Sequence, residues 1–112
     1  MGIQEKTTYK SEGFVCIHED KLVITDEKDT TQYMLLQDIE TIEILTTDMG
    51  PWINDVWWLI TGKDTIFEIA GDAMGIHNML DTFHTFEKFN HEEVIKAVQC
   101  TDYEVFTCWN KN

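Results

Sequence analysis

The chain has 112 residues, and its 21 acidic residues against 8 basic ones give a formal net charge of −13. This length predicts a single domain spanning residues 1–112. With 43% hydrophobic and 12% aromatic residues, the chain can build a core and is not disordered by composition. All the basic residues are lysines, and so strong an acidic balance excludes nucleic acid and anionic membranes, which bind through Lys and Arg. A basic partner is expected instead.

No stretch of the sequence predicts export or insertion into a membrane. The first ten residues are polar, and no apolar run approaches the roughly 20 residues that a membrane helix needs. The cysteines, Cys16, Cys100 and Cys108, are odd in number and form no C-x-x-C pair, so neither a disulfide framework nor a zinc ribbon is predicted. We therefore expect a cytoplasmic protein with reduced thiols.

The first half of the chain is typical of short strands. Apolar and β-branched runs predict strands at residues 14–18, 22–25, 32–36, 41–47, 56–61 and 65–69. A turn is expected at Gln37–Asp38, and the Gly50–Pro51 pair marks the longest loop. Trp57 and Trp58 are adjacent in one strand and must face opposite sides, so at least one of them should lie in the core.

The period of the pattern then changes to that of a helix. Apolar residues at i, i+3, i+4 and i+7 predict a helix over residues 76–83, with Asp72 as its candidate N-cap. A second, shorter helix follows Asn90, which begins a capping-box pattern with Glu93. Its predicted apolar side consists of Val94, Ile95 and Val98.

The end of the chain completes a predicted fold class. Residues 103–109 alternate well enough for a last strand. Strands that come first and helices that come later indicate an α+β domain with an antiparallel sheet. We predict a curved sheet of about six strands, pleckstrin-homology-like in shape, followed by two helices and a last strand.

Few residue patterns in the chain could carry chemistry. On the first predicted helix, His77, Asp81 and His84 project within roughly 60° of one another, which suits a divalent cation or simply a solvated face. Cys16 and His18 share one face of a strand but have no elbow glycines around them. We predict that the chain is not an enzyme, with no catalytic residues, no cofactor and no bound metal.

Acidic residues cluster in the predicted turns and loops. One group lies at residues 26–29, and another flanks Trp52 in the Gly-Pro loop. Tryptophan is enriched in binding hot spots, so Trp52 fits an interface anchor, with a loop-anchoring hydrophobe as the alternative. A charge of −13 opposes compaction by self-repulsion, which suggests that a positive partner docks there, with a solvated surface that only keeps the protein soluble as the alternative. The predicted partner-binding residues are Asp48, Trp52 and Asp55, with Asp26, Glu27 and Asp29 as a second patch.

The part of the chain from about residue 50 to residue 112 also resembles a known family. It contains Gly-Pro, Asp-Val, a Trp pair, a helix with Leu and Phe, a Phe-Asn step, Val-Ile-x-Ala and a closing Phe-x-Cys-Trp. Here these are Gly50, Pro51, Asp55, Val56, Trp57, Trp58, Leu80, Phe83, Phe89, Asn90, Val94, Ile95, Ala97, Phe106, Cys108 and Trp109. The pattern is similar to small acidic bacterial proteins that resemble immunity proteins of interbacterial toxin systems, including contact-dependent growth inhibition.

This resemblance and the acidic surface imply the same function. The chain is expected to be a toxin-neutralising immunity protein that forms a heterodimer with a basic toxin domain, of the nuclease class, and fills its active-site groove. Two alternatives stay open: a generic protein-interaction adaptor, and a metal- or small-molecule-binding domain that uses His77, Asp81 and His84.

Overall fold

The computed structural model describes residues 6–47 and 56–111. Within this part of the chain, eight strands and two α-helices form one α+β domain, so the predicted fold class is confirmed. In chain order the elements are β1 (Thr7–Ser11), β2 (Phe14–His18), β3 (Lys21–Thr25), β4 (Thr31–Leu35), a 3₁₀ turn (Leu36–Asp38), β5 (Thr41–Thr46), β6 (Val56–Thr61), β7 (Thr65–Ala70), α1 (Ile76–Phe83), α2 (His91–Gln99) and β8 (Glu104–Asn110).

The strands divide between two sheets. One has five strands in the order β1-β7-β6-β5-β8, and the other is the three-stranded meander β2-β3-β4. Every pairing is antiparallel except that of β1 with β7, which runs parallel from Thr7 opposite Thr65 to Ser11 opposite Ile69. The strand pattern of the sequence predicts a single antiparallel sheet and no strand at β1, whose residues are mostly polar.

Alternating burial along the strands places the core between the two sheets. In β5 the side chains of Ile42 and Ile44 are fully buried, while Glu43 between them is half-buried. The same alternation buries Trp58 and Ile60 in β6, as expected for strands with one covered face. The side chains of α1 and of the three-stranded sheet belong to the same core cluster, which includes Leu22, Ile24, Met79 and Phe83.

The opposite side of the five-stranded sheet carries the residues that alternate with these buried ones. We call it the outer face and define it by Glu43 and Leu45 in β5, Trp57 and Leu59 in β6, and Ile66 and Glu68 in β7. All six are half-buried. Trp57 thus points away from the core while Trp58 is only 4% exposed, as predicted for the adjacent pair.

The start of α1 differs from the prediction. The N-cap is Gly75, in the left-handed conformation with φ 90°, and no side chain caps the helix. Asp72 does not take this role because the chain between it and the helix is engaged elsewhere: the backbone of Met74 bonds to Gly13 and Val15 beside β2. This bridge holds the beginning of α1 against the strand that it packs on.

The second helix begins at the predicted cap. The Asn90 side chain accepts hydrogen bonds from the backbone N–H groups of Glu92 and Glu93, which satisfies two of the unpaired donors of the first turn. The predicted apolar side was wrong in part, because Ala97 is the buried residue while Ile95 and Val98 are 55% and 66% exposed. The helix packs on β8 and β5, so this contact and not the most apolar side decides its orientation.

Neither helix of the described chain has the length and apolar character required to cross a membrane.

Candidate functional site

The hairpin between β3 and β4 is organised by one carboxylate, that of Asp26. Its Oδ1 accepts hydrogen bonds from the backbone N–H groups of Lys28 at 2.9 Å and Thr30 at 3.0 Å, and Oδ2 accepts one from Gln32 Nε2 at 3.3 Å. The residue is only 8% exposed, so it holds the loop rather than offering a free charge. Asp29 completes the turn at φ 61°, a conformation that Asp tolerates better than most residues.

The hydrogen bonds lower the pKa of the Asp26 carboxyl below its ordinary value, chiefly through the backbone of Thr30. Because the pKa is lowered by folding, the stabilisation is present above the unfolded-state pKa and is lost as the pH falls through the folded-state pKa. We therefore expect Asp26→Ala to lower the melting temperature at neutral pH, and the difference from wild type to shrink in strong acid.

Thermal melts of both proteins across the acid range check this expectation. Glu27→Ala is the matched control: this neighbouring side chain is exposed, and its removal should leave the melting temperature nearly unchanged. A deficit in Asp26→Ala that is equally large at neutral pH and in strong acid would contradict a role for the ionised carboxylate.

The hairpin presents its other acidic residues to solvent beside a second turn. Glu27 and Asp29 are exposed, and together with Glu12, in the turn between β1 and β2, they line an open hollow of about 300 Å³. We call these three residues the acidic hollow. Glu12 was not among the predicted partner-binding residues. It joins Glu27 and Asp29 only because the β1–β2 turn lies beside the β3–β4 hairpin in the folded chain.

The acidic hollow adjoins the edge of the five-stranded sheet. A neighbouring groove is lined by residues of β1, including Thr8 and Lys10, together with Asp26 and Glu27. Lys10 lies opposite Glu68 in the register of β1 and β7, and its Nζ lies 4.7 Å from the centre of the Trp57 ring. The acidic hollow and the outer face are therefore parts of one continuous surface.

The first predicted patch cannot be compared with this geometry, since Asp48, Trp52 and Asp55 lie outside the described residues. They belong to the chain between β5 and β6. Of the second patch, Glu27 and Asp29 are exposed and adjacent, whereas the carboxylate of Asp26 is engaged within the hairpin.

The histidine stripe of α1 does not form a metal site. Within residues 6–47 and 56–111, no group of three or more His, Cys, Asp or Glu side chains is arranged to hold a metal ion. His77, Asp81 and His84 are exposed, and His84 stacks edge-on against His91 with 4.7 Å between ring centres. This stripe therefore gives no support to a metal-dependent function.

Two of the possible nucleophiles, Ser11 and Cys108, are buried in the fold. Ser11 is fully buried and donates its hydroxyl to the carbonyl oxygen of Phe14. Cys108 is 1% exposed, and burial, reinforced by the negative charges of Glu93 and Glu43, raises the pKa of its thiol to about 12. The protonated thiol is a poor nucleophile at neutral pH. Cys16 and Cys100 are free and half-buried.

No model of a known protein family matches this chain, and neither a curated protein nor a solved structure matches it.

Proposed function

We propose that this protein is a cytoplasmic immunity protein that neutralises a toxin by binding its basic domain in a heterodimer. The domain would be of the nuclease class, because a groove built for nucleic-acid phosphates is lined by Lys and Arg. The acidic surface occupies that groove in place of the polyanion. The observation that carries the proposal is the acidic hollow, in which Glu12, Glu27 and Asp29 are exposed side by side.

The overall charge supports this proposal, because 8 lysines cannot neutralise 21 carboxylates. Some lysines are also held in local pairs: Lys6 contacts Glu40 at 2.9 Å, and Lys96 contacts Glu93 at 3.1 Å. Pairs of this kind on a surface add little to stability. In the acidic hollow, Glu12 lies 4.0 Å from Lys10 Nζ, whereas Glu27 and Asp29 form no ion pair with any described residue, so the hollow keeps a negative potential. Such a potential steers a basic partner and speeds its association.

The architecture of the hairpin supports the same function. An interface is effective when its charges are fixed before binding, since less conformational entropy is then lost. The buried carboxylate of Asp26 fixes the loop through three hydrogen bonds. The backbone that carries Glu27 and Asp29 is thereby held in place before a partner binds.

The direct experiment uses the domain encoded by the gene next to that of this chain. We expect co-production of this chain to abolish the toxicity of that domain, and the purified pair to associate more slowly by about tenfold or more between low and high salt. Stopped-flow measurements over a series of salt concentrations give the rate.

The matched control replaces the two hairpin charges without changing side-chain shape, as Glu27→Gln with Asp29→Asn. This variant should associate more slowly at low salt and converge with wild type at high salt, where charges are screened. A toxic domain that is neutralised equally fast at every salt concentration would disprove the electrostatic mechanism. The absence of any toxic domain among the neighbouring genes would count against the function itself.

A further inference from the structure

The outer face of the five-stranded sheet carries two carboxylates that are in no ion pair among the residues that the structure describes. They belong to Glu43 and Glu68, which are both half-buried. The nearest cation in the strand register is Lys10, opposite Glu68. Its Nζ instead lies over the Trp57 ring and 4.0 Å from Glu12 Oε1.

The strand register places these two carboxylates on either side of one apolar residue. Leu59 pairs with Glu43 on β5 and with Glu68 on β7, so the three form a row across the sheet. Neighbouring strands lie about 4.8 Å apart, which separates the two glutamate backbones by about 10 Å. A cation above Leu59 would therefore lie within reach of both carboxylates.

An apolar row runs beside this charged row. Leu45 pairs with Trp57 on β6 and with Val105 on β8, and Val105 is 52% exposed on the edge strand of the sheet. A large aromatic side chain flanked by aliphatic ones, with charge at its margin, has the composition of an interface centre. Both helices and the three-stranded sheet contribute to the core on the other side.

We infer that the outer face binds a lysine or arginine side chain of the basic partner, held above Leu59 between Glu43 and Glu68. This inference rests on the proposed function and locates its interface. The aliphatic stem of the bound residue lies on Leu59, beside the Trp57 ring that Lys10 covers, and its charged end reaches the two carboxylates. The continuity of the outer face with the acidic hollow lets one partner cover both.

Charge complementarity identifies the occupant. Two like charges on one half-buried face repel each other and the rest of an acidic chain. A basic side chain from a partner relieves this repulsion and gains two charge-assisted contacts. An acidic or purely apolar partner would leave both carboxylates covered and without a counter-charge.

Removing the two charges while keeping the side-chain shape tests this inference. We expect the double variant Glu43→Gln with Glu68→Gln to bind the adjacent-gene toxin domain at least about tenfold more weakly. The dissociation rate should account for most of the change. The control, Glu27→Gln with Asp29→Asn, should change mainly the association rate. Surface plasmon resonance separates the two rates for each variant.

A measurement on the free protein provides a second criterion. The Glu43→Gln, Glu68→Gln variant should melt at the same temperature as wild type or higher, because it loses repulsion and no native ion pair. A lower melting temperature would show that the carboxylates serve the fold and would overturn the inference.

The outcomes separate this inference from the function on which it rests. Wild-type affinity in the Glu43→Gln, Glu68→Gln variant overturns the location on the outer face and leaves the immunity function standing. Failure of wild-type protein to bind the toxin domain overturns both. Selective weakening by the outer-face variant, with its stability intact, supports the inference.

Discussion

Gly75→Ala should lower the free energy of unfolding by about 3 kcal/mol or more, because it combines a backbone penalty with a steric one. Gly75 lies at φ 90° at the start of α1, a region where an L-residue is disfavoured by roughly 1–2 kcal/mol. A Cβ added there would also overlap the carbonyl oxygen of Val15 in β2. The overlap is with backbone, so no side-chain rotation can relieve it.

This glycine matters because it lies where α1 and β2 are joined. The backbone N–H of Val15 donates to Met74 at 2.9 Å, and that of Met74 donates to Gly13 at 2.9 Å. Moving the chain to accommodate a methyl group would disturb both hydrogen bonds. Small domains are stable by about 5–15 kcal/mol, so the expected loss is a large part of the total.

Urea denaturation of Gly75→Ala, followed by circular dichroism, measures the loss. Gly13→Ala is a suitable control, because a Cβ there meets no atom within 4 Å, and its effect should stay within about 0.5 kcal/mol. Equal midpoints for the two variants would be incompatible with the close approach of α1 to β2.

The sequence predicted the strands well where burial selects apolar and β-branched side chains. In β2 and β3 the side chains of Val15, Leu22 and Ile24 are fully buried. Both strands are rich in the apolar and β-branched residues that are enriched in strands. The strand β1 has no such signal, since its sequence TTYKS turns mainly polar side chains to solvent at a sheet edge. Its parallel pairing with β7, 58 residues later in the chain, is a tertiary arrangement that no local pattern records.

The candidate site was predictable in its charge but not in its arrangement. The cluster at residues 26–29 was evident as a run of acids, yet the sequence does not say that Asp26 directs its carboxylate into the hairpin. Glu43 and Glu68 are 25 residues apart and become neighbours of Leu59 only through the strand order of the sheet. The residue types in a sequence predict the sign of the charge on a surface, whereas the register of the paired strands decides which charged side chains lie close together.

This distinction also bears on how the chain tolerates its negative charge. The carboxylates of Glu27, Asp29 and Glu12 lie on turns, where water and salt screen their repulsion. Glu43 and Glu68 are half-buried on the sheet itself. A basic partner of the kind proposed would therefore stabilise its complex chiefly through the outer face and accelerate its formation chiefly through the acidic hollow.

Phe83→Ala should lower the free energy of unfolding by about 3–5 kcal/mol, the range for deleting a buried aromatic ring. Phe83 is fully buried at the end of α1, and its ring centre lies 6.4 Å from that of Trp58 and 5.5 Å from that of Phe86. Phe86 in turn contacts Trp109 of β8. The ring thus joins the helix to β6 directly and to β8 through one neighbour.

Chemical denaturation measures the free energy of unfolding of Phe83→Ala, with Tyr103→Ala as the control variant. Tyr103 is also aromatic but is 67% exposed, so its removal should cost less than about 0.5 kcal/mol. Phe83 lies on the core side of the sheet, opposite the outer face. If the chain binds a toxin domain as proposed, the folded fraction of Phe83→Ala should therefore bind it with the wild-type dissociation rate. Faster dissociation of that folded fraction would mean that the aromatic core also sets the shape of the outer face.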